Sequence, residues 1–312
     1  MNVLFVCSGN KKGNEISPIV SRQALSLTNI GLEVSIFKIE GKGLLSYLKN
    51  RNKLKKELTQ NNFDLIHAHY SFSGILAGIS TRKIPIITSL MGSDVKVSVF
   101  WKCIILFSNS FLWKKTIVKA ERMLHDIKLK NVHVIPNGVD FEVFKPIDSR
   151  IAKSKVNFTD RKKYVIFVSD PERKEKNFEL ALKAIDRLQK KSNVELYVVF
   201  NENGLSAEAI CDFMNAADAL LMTSMYEGSP NVIKEAMACN CPIVSTDVGD
   251  VNNVIGTTNG CFITDNNPEN IARKLEKAIN FGKTNGRKNI DYLNSKKIAL
   301  EISNLYQHVL QK

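Results

Sequence analysis

The sequence predicts an α/β protein made of two successive units, each with a parallel β-sheet. Short apolar runs alternate with amphipathic stretches, which is typical of strands joined by crossover helices. This alternation stops at a polar, charge-mixed stretch, residues 145–162, and then starts again. The length of 312 residues suits about two domains. Because ligands of such sheets bind beyond the carboxyl ends of the strands, we expect a cleft where the two units face each other.

The first unit contains five predicted strands. Ser17-Pro18 is a cap followed by proline in the first helical turn, so a helix should start there and end near Gly31. Residues 44–60 are rich in Lys and Leu, which predicts an exposed amphipathic helix. The strands are predicted at 2–8, 33–39, 64–70, 85–90 and 132–136.

The second unit repeats the pattern, and a last amphipathic helix follows it at 294–311. Its strands are predicted at 163–169, 194–200, 219–224, 242–246 and 260–264. Its helices are predicted near 177–191, 206–216, 230–238 and 268–281. We therefore place the domains at 1–147 and 148–293, with 294–312 as a C-terminal helix that packs back toward the N-terminal domain.

The net charge of +13 lies mostly in the N-terminal half. Residues 1–147 carry 21 Lys and Arg against 10 Asp and Glu, a net +11, whereas residues 148–312 carry 23 against 21, a net +2. This asymmetry indicates an anionic partner for the first half: a nucleic acid, a membrane surface or a phosphorylated acceptor. A solvated, lysine-rich face is the alternative interpretation.

The start of the chain and its cysteines favour a reducing compartment. An apolar strand pattern follows Met1 directly, where a secretory leader would be basic and then apolar. The six cysteines show no CxxC spacing, and Cys239 and Cys241 flank a single residue beside a predicted strand. Neighbouring free thiols are therefore expected. We expect a cytoplasmic protein, with the inner face of the plasma membrane as a further location.

Residues 97–113 contain both tryptophans and a single charge, and Lys114 and Lys115 follow. This Trp-rich segment is shorter and more polar than the ~20 apolar residues that a membrane span needs. A buried helix is the simpler interpretation. The alternative is an interfacial segment, because tryptophan and lysine at its ends suit a headgroup boundary.

The strongest chemical signal is Glu-Gly-Ser-Pro-Asn at 227–231, between two apolar strand patterns. It predicts a strand-to-helix turn whose helix amides and dipole form an anion site suited to a diphosphate. Glu227 lies on the turn, and Glu235 lies inside the following helix, about one turn from its start. Each carboxylate could accept hydrogen bonds from hydroxyl groups, one from a sugar and one from a ribose.

Glu227 and Glu235, with seven residues between them, resemble the donor motif of glycosyltransferase family 4. Three further segments resemble this family in the expected order: Val134–Asp140, Asn215–Asp218 and Pro242–Asp250. The resemblance implies the GT-B fold, an α/β architecture of two Rossmann-like domains whose parallel sheets face a cleft. It also implies transfer of a sugar from a nucleotide sugar with retention of anomeric configuration.

The resemblance assigns roles in the donor motif. Glu235 should bind the ribose hydroxyls of the nucleotide, and Glu227 should contact hydroxyls of the transferred sugar rather than act as a nucleophile. Backbone groups should hold the sugar and the diphosphate at Gly228, Ser229, Pro230, Asn231 and Val232.

Arg173 and Lys176 match the Arg and Lys that neutralise the donor phosphates in the family. Both lie in a charged loop between a predicted strand and a predicted helix. Preplaced cations stabilise the negative charge that develops on a departing diphosphate. Lys174 is the rival for either role, and an exposed charged loop is the alternative.

The acceptor side resembles the family less closely. The family often has two adjacent glycines that approach the donor phosphates, and this sequence has only one of them, Gly13. His67-Ala-His69-Tyr70 resembles the His-x-His-Tyr that ends the family's third strand, so His69 or Tyr70 should contact the acceptor. Residues two apart on a strand share a face, so both histidines could line the cleft or ligate a metal, although a packed, hydrogen-bonded His67 is the simpler interpretation.

Met91 occupies a place where family members often have a histidine near the reacting sugar. This departure leaves His69 and Asp94 as polar candidates, with a helix cap as the alternative role for Asp94. The catalytic candidates are therefore Glu227, Arg173, Lys176, His69 and Asp94.

No aspartate-x-aspartate sequence is present, and Asp247 and Asp250 are interpreted as structural. Positive side chains and helix amides can replace a metal, so we expect neither a metal site nor a cofactor. The predicted function is transfer to a lipid-linked glycan in surface polysaccharide synthesis. The partners would be a nucleotide sugar, an anionic or lipid-linked acceptor and the inner membrane surface, with no nucleic acid. The alternatives are a GT-B phosphorylase, a sugar-nucleotide epimerase or a donor-binding homologue with weak catalysis.

Overall fold

A computed structural model shows two compact α/β units. The structure describes residues 1–9, 16–41, 43–95, 97–201 and 204–311. The first unit comprises Met1–Gly138 and Ser295–Lys312, and the second comprises Val139–Asn294.

The first unit is built on a six-stranded parallel sheet in the order β2-β1-β3-β4-β5-β6. Its strands are β1 (Asn2–Ser8), β2 (Glu33–Ile39), β3 (Leu65–His69), β4 (Ile86–Ser89), β5 (Lys115–Val118) and β6 (Val132–Val134). Every residue of β3 is buried, as is typical of a parallel strand covered on both faces.

Among the described residues, the helices that precede the second unit are α1 (Pro18–Thr28), α2 (Leu44–Lys49), α3 (Arg51–Gln60), α4 (Ser71–Ser80), α5 (Val99–Phe111) and α6 (Arg122–Asp126). Helix α4 approaches the sheet closely at Gly74, where an added Cβ would lie 2.4 Å from Thr88 Oγ1 and 2.9 Å from Trp113 Cε2. Glycine is therefore required there because no side chain fits between the helix and β4.

The second unit is built on a five-stranded parallel sheet in the order β11-β10-β9-β7-β8. Its strands are β7 (Lys163–Phe167), β8 (Val194–Val198), β9 (Ala219–Met222), β10 (Ile243–Thr246) and β11 (Cys261–Thr264). Its helices are α7 (Ser149–Lys155), α8 (Phe178–Gln189), α9 (Ala207–Ala216), α10 (Asn231–Ala238), α11 (Val251–Ile255), α12 (Pro268–Phe281) and α13 (Gly286–Asn289). Short 3₁₀ turns are formed by Lys174–Lys176 and Asp291–Leu293.

The boundary between the units corrects the predicted boundary at 147. The first unit ends at Gly138, because the following segment bonds to the second unit. The Ile147 amide donates to Asn215 Oδ1 at 2.8 Å. Arg287 donates to the carbonyl oxygens of Phe144 at 2.6 Å and Phe141 at 3.0 Å.

The last helix, α14 (Ser295–Leu310), belongs to the first unit, where it contacts α1. Tyr306 is the largest of its fully buried side chains. The phenol oxygen of Tyr306 lies 2.6 Å from His67 Nδ1 on β3. A side chain from the end of the chain thus completes the core of the unit that contains its beginning.

Two local predictions for the first unit were wrong. Strand β5 lies between β4 and β6 but is absent from the predicted strands, because its four residues follow the Trp-rich segment without a turn signal. The single helix predicted at 44–60 is two helices, α2 and α3, which meet at Asn50. The Asn50 side chain donates to Glu40 O at 2.9 Å and Ser46 O at 2.7 Å, which holds this junction.

The Trp-rich segment forms α5 and is neither wholly buried nor wholly exposed. Ile105 and Trp113 are buried, whereas Phe100 and Phe107 are exposed. Within the part of the chain that the structure describes, no helix is both long enough and apolar enough to cross a bilayer.

Candidate functional site

Two loops meet beyond the carboxyl ends of β7 and β9 in the second unit. The Thr223 hydroxyl lies 3.0 Å from the carbonyl oxygen of Lys176 and 2.9 Å from that of Asn177. The Met225 amide donates to the carbonyl oxygen of Glu175 at 2.8 Å. The 3₁₀ turn at Lys174–Lys176 is therefore fixed against the loop that precedes α10.

This junction brings Lys176 and Glu227 together. Lys176 Nζ lies 2.5 Å from Glu227 Oε1, and Ser224 Oγ donates to the same carboxylate oxygen at 3.0 Å. Both charged side chains are largely covered, with 15% of Lys176 and 18% of Glu227 exposed. A partly desolvated ion pair at a strand end gives this site a charged group of each sign.

A pocket opens beside this ion pair. Its empty volume, counted out to open solvent, is about 240 Å³, of which a water-sized sphere reaches only about 10 Å³. Its wall includes Ser169, Lys176, Ser224 and Val232, and apolar residues at the ends of β7 and β9 form the remainder. The pocket is therefore a shallow, open site that combines an apolar floor with one lysine and two hydroxyl groups.

Helix α10 begins at Asn231, next to the pocket, and its N-cap residue, Pro230, provides no side-chain cap. The start of the helix thus keeps the polarity that attracts anions. Glu235 lies four residues further on and is only 5% exposed. The turn and helix predicted from Glu-Gly-Ser-Pro-Asn are present with their start shifted by one residue.

A buried polar cluster fixes the turn before α10. Ser229 Oγ lies 2.6 Å from Lys234 Nζ and 2.5 Å from Asp250 Oδ2, and Lys234 Nζ lies 3.7 Å from the same Asp250 oxygen. Burial lowers the pKa of Lys234, which is fully buried, while the charge of Asp250 acts in the opposite direction. The cluster ties the helix to the loop after β10 and thereby orients the start of α10.

The turn before α10 and the loop after β10 also touch through their backbones. Gly249 has a φ of +58°, and a Cβ at this position would lie 2.4 Å from the carbonyl oxygen of Gly228. Only glycine permits both this dihedral angle and this distance. The position of Gly228, one of the predicted donor-binding residues, is therefore set by the loop after β10.

Arg173 and Lys176 differ in their surroundings although both were predicted to neutralise phosphates. Arg173 lies on the surface, and its Nε and Nη2 atoms donate to Glu175 Oε1 at 2.8 and 2.5 Å. Arg173 therefore pairs with Glu175, whereas Lys176 pairs with Glu227. Lys174, the rival candidate, is exposed.

His67 and His69 share one face of β3, and both are buried. His67 Nδ1 lies 2.6 Å from Tyr306 Oη and His67 Nε2 lies 2.8 Å from Ser89 Oγ. The His67 and His69 rings are 4.3 Å apart. Neither ring nitrogen of His69 has a hydrogen-bond partner among the described residues. Burial, and secondarily the Lys119 charge, lowers the pKa of His69 to about 3.

The remaining acceptor-side candidates lie around the start of α4. Tyr70 is the N-cap residue, with a φ of +87°, and its side chain is partly buried. Asp94 is fully buried. Its Oδ1 accepts from the amides of Met91 at 2.8 Å and Gly92 at 3.0 Å, and its Oδ2 accepts from the amide of Ser71 at 3.1 Å.

These contacts decide the geometry of Asp94, which is that of a helix cap, the alternative considered for it. Burial raises the pKa of Asp94 to about 6, although the backbone amides act to lower it. The side chains of Asp94 and His69 are both covered, and their contact with an acceptor stays a prediction. Gly13 lies outside the described residues.

A metal site is not indicated by the side chains that the structure describes. They include no group of three or more His, Cys, Asp or Glu residues placed to hold an ion. Cys239 and Cys241 are buried free thiols, and Cys211 Sγ lies 3.8 Å from Cys239 Sγ.

Two family models together match most of the chain. Residues 4–143 match the model described as "Glycosyltransferase Family 4", and residues 162–280 match the one described as "Glycosyl transferases group 1". The first match covers the acceptor-side candidates and the second covers both loops of the donor-side pocket. The chain belongs to glycosyltransferase family 4. It is therefore an enzyme of the glycosyltransferase class.

Curated relatives agree with this assignment. The chain is 29% identical over 255 residues to the uncharacterized glycosyltransferase MJ1178 of Methanocaldococcus jannaschii, a match that covers 76% of this chain and 71% of the relative. It is 25% identical over 220 residues to the putative teichuronic acid biosynthesis glycosyltransferase TuaC of Bacillus subtilis, covering 62% of this chain and 55% of the relative.

Similarity to solved structures shows that this chain has the GT-B fold. The chain superposes on a sucrose-phosphate synthase from Thermosynechococcus elongatus with a TM-score of 0.83 at 17% identity, covering 100% of this chain and 99% of the other. It superposes on Alr3699/HepE from Anabaena, in complex with UDP and glucose, with a TM-score of 0.74 at 16% identity, covering 99% and 100%.

Sequence reasoning did not identify the groups that support the site of this glycosyltransferase. Lys234 was given no role, and Asp250 was interpreted only as structural. A lysine one residue before Glu235, in the helix that connects β9 to β10, was the available signal, because a buried lysine needs a partner. The buried Lys119, whose Nζ lies 3.4 Å from Ser89 Oγ, was also missed.

Proposed function

We propose that this glycosyltransferase moves a sugar from a nucleoside-diphosphate sugar to a lipid-linked glycan, with retention and without a metal ion. The observation that carries the proposal is the Lys176–Glu227 pair, whose lysine lines a pocket at the start of α10, the helix that also contains the buried Glu235. A cation, a helix start and two carboxylates are the groups that a diphosphate, a sugar and a ribose require.

Lys176 would stabilise the leaving diphosphate. When the bond between the sugar C1 and the diphosphate oxygen breaks, negative charge develops on the phosphate groups. Lys176 Nζ borders the pocket, and the backbone at the start of α10 adds a positive potential. Arg173 would join them once it exchanges its exposed partner, Glu175, for a phosphate. These fixed charges supply the stabilisation that a metal ion would otherwise provide.

Glu227 and Glu235 would select the donor through its hydroxyl groups. Glu227 Oε1 holds Lys176 and Ser224, and Oε2 makes no hydrogen bond to the described residues. Oε2 is therefore able to accept a hydrogen bond from a sugar hydroxyl. Glu235 lies in the body of α10 and is largely buried. Its carboxylate would accept hydrogen bonds from the ribose hydroxyls.

Retention follows in this proposal from attack on the face that the diphosphate leaves. The acceptor oxygen forms a bond to C1 while the C1–phosphate bond breaks. The acceptor proton passes to the leaving phosphate oxygen, and the nucleoside diphosphate departs with the electron pair. No enzyme nucleophile is needed, which agrees with the engagement of Glu227 by Lys176 and Ser224.

Related proteins support the substrate classes. The structures of Alr3699/HepE contain UDP, glucose or UDP-glucose, which favours a nucleoside-diphosphate sugar as donor. TuaC is named for teichuronic acid biosynthesis, which favours a surface polysaccharide as product. The net +11 of residues 1–147 suits an acceptor carried by phosphate groups at a membrane.

The proposal is tested by thermal stabilisation with UDP, GDP, ADP and CMP. A ligand at a hundred times its dissociation constant adds about 2.7 kcal/mol to stability. We expect one diphosphate to raise Tm in the wild type and less in Glu235→Ala and Lys176→Ala. Lys183→Ala is the matched control, because Lys183 pairs with Glu179 on the exposed face of α8.

An unchanged Tm with all four nucleotides would contradict the proposed donor site. Equal stabilisation of the wild type and both site variants would place the nucleotide elsewhere. Product analysis with the matching nucleotide sugar then separates the alternatives, because an epimerase changes the donor without an acceptor and a phosphorylase requires free phosphate.

A further inference from the structure

Helix α5 presents an apolar stripe to solvent. Phe100 is 67% exposed, Phe107 is 59% exposed and Phe111 is 66% exposed. Their spacing of seven and then four residues places them on one side of a helix over about three turns. Exposed phenylalanines are ordinary when scattered, but three in one line form a surface that favours an apolar partner.

The opposite side of α5 is anchored in the first unit. Ile105 is buried in the core, and Trp101 packs edge-on against Phe72 of α4 with ring centroids 4.9 Å apart. Asn109 Nδ2 lies 2.8 Å from Thr116 Oγ1 on β5, and Lys102 Nζ donates to the carbonyl oxygen of Asp126 at 2.8 Å. The helix cannot turn its phenylalanines inward without breaking these contacts, so the stripe is a fixed feature of the surface.

The stripe lies in a positively charged part of the chain. From Tyr70 to Lys119 the sequence has seven Lys and Arg residues, of which Lys119 is buried, and a single acidic residue, Asp94, which is also buried. Helix α5 itself contains no acidic residue. At its C-terminal end, Arg82 Nη1 donates to the carbonyl oxygen of Phe111 at 3.0 Å, and Lys114 is exposed.

We propose that the stripe of Phe100, Phe107 and Phe111 is inserted into the headgroup region of an anionic lipid bilayer. Three aromatic side chains flanked by basic groups are complementary to acyl chains beneath negatively charged headgroups. A second copy of the chain fits less well, because a symmetric contact would bring two positively charged margins together. The helix lies in the plane of the membrane because its 13 residues are too few to cross it.

The surface borders the acceptor side of the first unit. Tyr70 contacts Phe72 with ring centroids 5.6 Å apart, and Phe72 contacts Trp101 of α5. Helix α2 packs on the same Phe72 through Tyr47 and adds a further exposed leucine, Leu45. A membrane at α5 would thus deliver a lipid-linked acceptor next to the end of β3. This use of the surface rests on the proposed function, whereas lipid binding itself does not.

The test is sedimentation with vesicles at low salt. Vesicles of phosphatidylethanolamine and phosphatidylglycerol are compared with vesicles of phosphatidylcholine alone. The triple variant Phe100→Ser/Phe107→Ser/Phe111→Ser should bind the anionic vesicles at least about tenfold more weakly than the wild type. The triple variant Phe100→Leu/Phe107→Leu/Phe111→Leu should retain binding, because it keeps the stripe apolar. Phe281→Ser, at an exposed phenylalanine of the second unit, should bind as the wild type does.

Three results would overturn the proposal. The wild type could fail to bind anionic vesicles, the serine variant could bind as tightly as the wild type, or light scattering could show a wild-type dimer that the serine variant lacks. Nucleotide stabilisation of the serine variant is measured in parallel. If it is retained while vesicle binding is lost, the donor site is intact and the lipid surface is confirmed separately. If vesicle binding stands and no nucleotide stabilises any variant, the proposed function fails and the lipid surface remains.

Discussion

The polar groups of the two units are arranged in opposite ways. In the second unit, Lys176 is paired with Glu227, and Lys234 with Ser229 and Asp250. In the first unit, His69 is fully covered and has no hydrogen-bond partner among the described residues. The second unit therefore holds paired charges that could bind a charged ligand, whereas the first unit keeps the buried ring of His69 neutral.

The difference indicates how each unit meets its substrate. The proposed nucleoside-diphosphate donor always carries negative charge, which would explain why the second unit holds cations in place at a cost that their carboxylate partners offset. The acceptor side has no comparable pair in the part of the chain that the structure describes. Its recognition would depend on shape and, through α5, on the surface that carries the acceptor. Three predictions test this comparison.

The largest expected effect is on catalysis in the second unit. Lys176→Ala should lower kcat/KM for sugar transfer by about 10²–10³-fold, the usual cost of removing one preplaced group that stabilises a developing negative charge. Steady-state kinetics measures it, with Lys183→Ala as the control. A loss below threefold would show that Lys176 does not act on the leaving group.

The next effect is on stability in the same unit. Lys234→Met should lower the free energy of unfolding by about 3 kcal/mol, because it leaves Asp250 partly buried without its cation. The double variant Lys234→Met/Asp250→Asn should recover part of this loss. Urea denaturation of the second unit's transition measures both. Equal stability of the single variant and the wild type would mean that the cluster does not hold α10.

The smallest effect concerns His69 in the first unit. His69→Phe should raise the free energy of unfolding at pH 7.5 by up to about 1 kcal/mol, because it removes two buried nitrogens that lack partners. Phe keeps the aromatic contact with Phe5, whose ring centroid is 4.5 Å away.

The stability that the neutral ring of His69 contributes should depend on pH. The pKa of His69 is lowered from 6.5 to about 3 by burial, so the unfolded chain binds a proton that the folded chain does not. Stability from the neutral ring is present above pH 6.5 and is lost as the pH falls toward 3. Urea denaturation at pH 7.5 and pH 5 should show a larger acid loss in the wild type than in His69→Phe. The same acid loss in both proteins would mean that His69 is hydrated or paired.

Much of the donor side could be predicted because its signals are local. Gly-Ser-Pro-Asn fixes a turn and a helix start, so Glu227 and Glu235 fell where the sequence placed them relative to α10. The pairing of Lys234 with Asp250 was not predicted, because the two residues are 16 positions apart in the chain and meet only in the folded interior. No spacing rule along one helix reveals that a lysine faces the interior.

The acceptor side was harder for the same physical reason. Asp94 is a cap for a helix that starts 23 residues earlier in the chain, and His67 is bonded to Tyr306 from the last helix. Strand β5 lacks the usual length and turn signals, and its place in the sheet is determined by β4 and β6. The Trp-rich segment forms α5 with one side buried and the other exposed, and its interfacial role stays a prediction.

The most direct test of the central claim is amide hydrogen exchange with and without the stabilising nucleoside diphosphate. We expect slower exchange at 173–177 and 223–235, the segments that contain the 3₁₀ turn, the Lys176–Glu227 pair and the start of α10 beside the pocket. Unchanged exchange in both segments, with protection elsewhere in the chain, would contradict a donor site built on these residues.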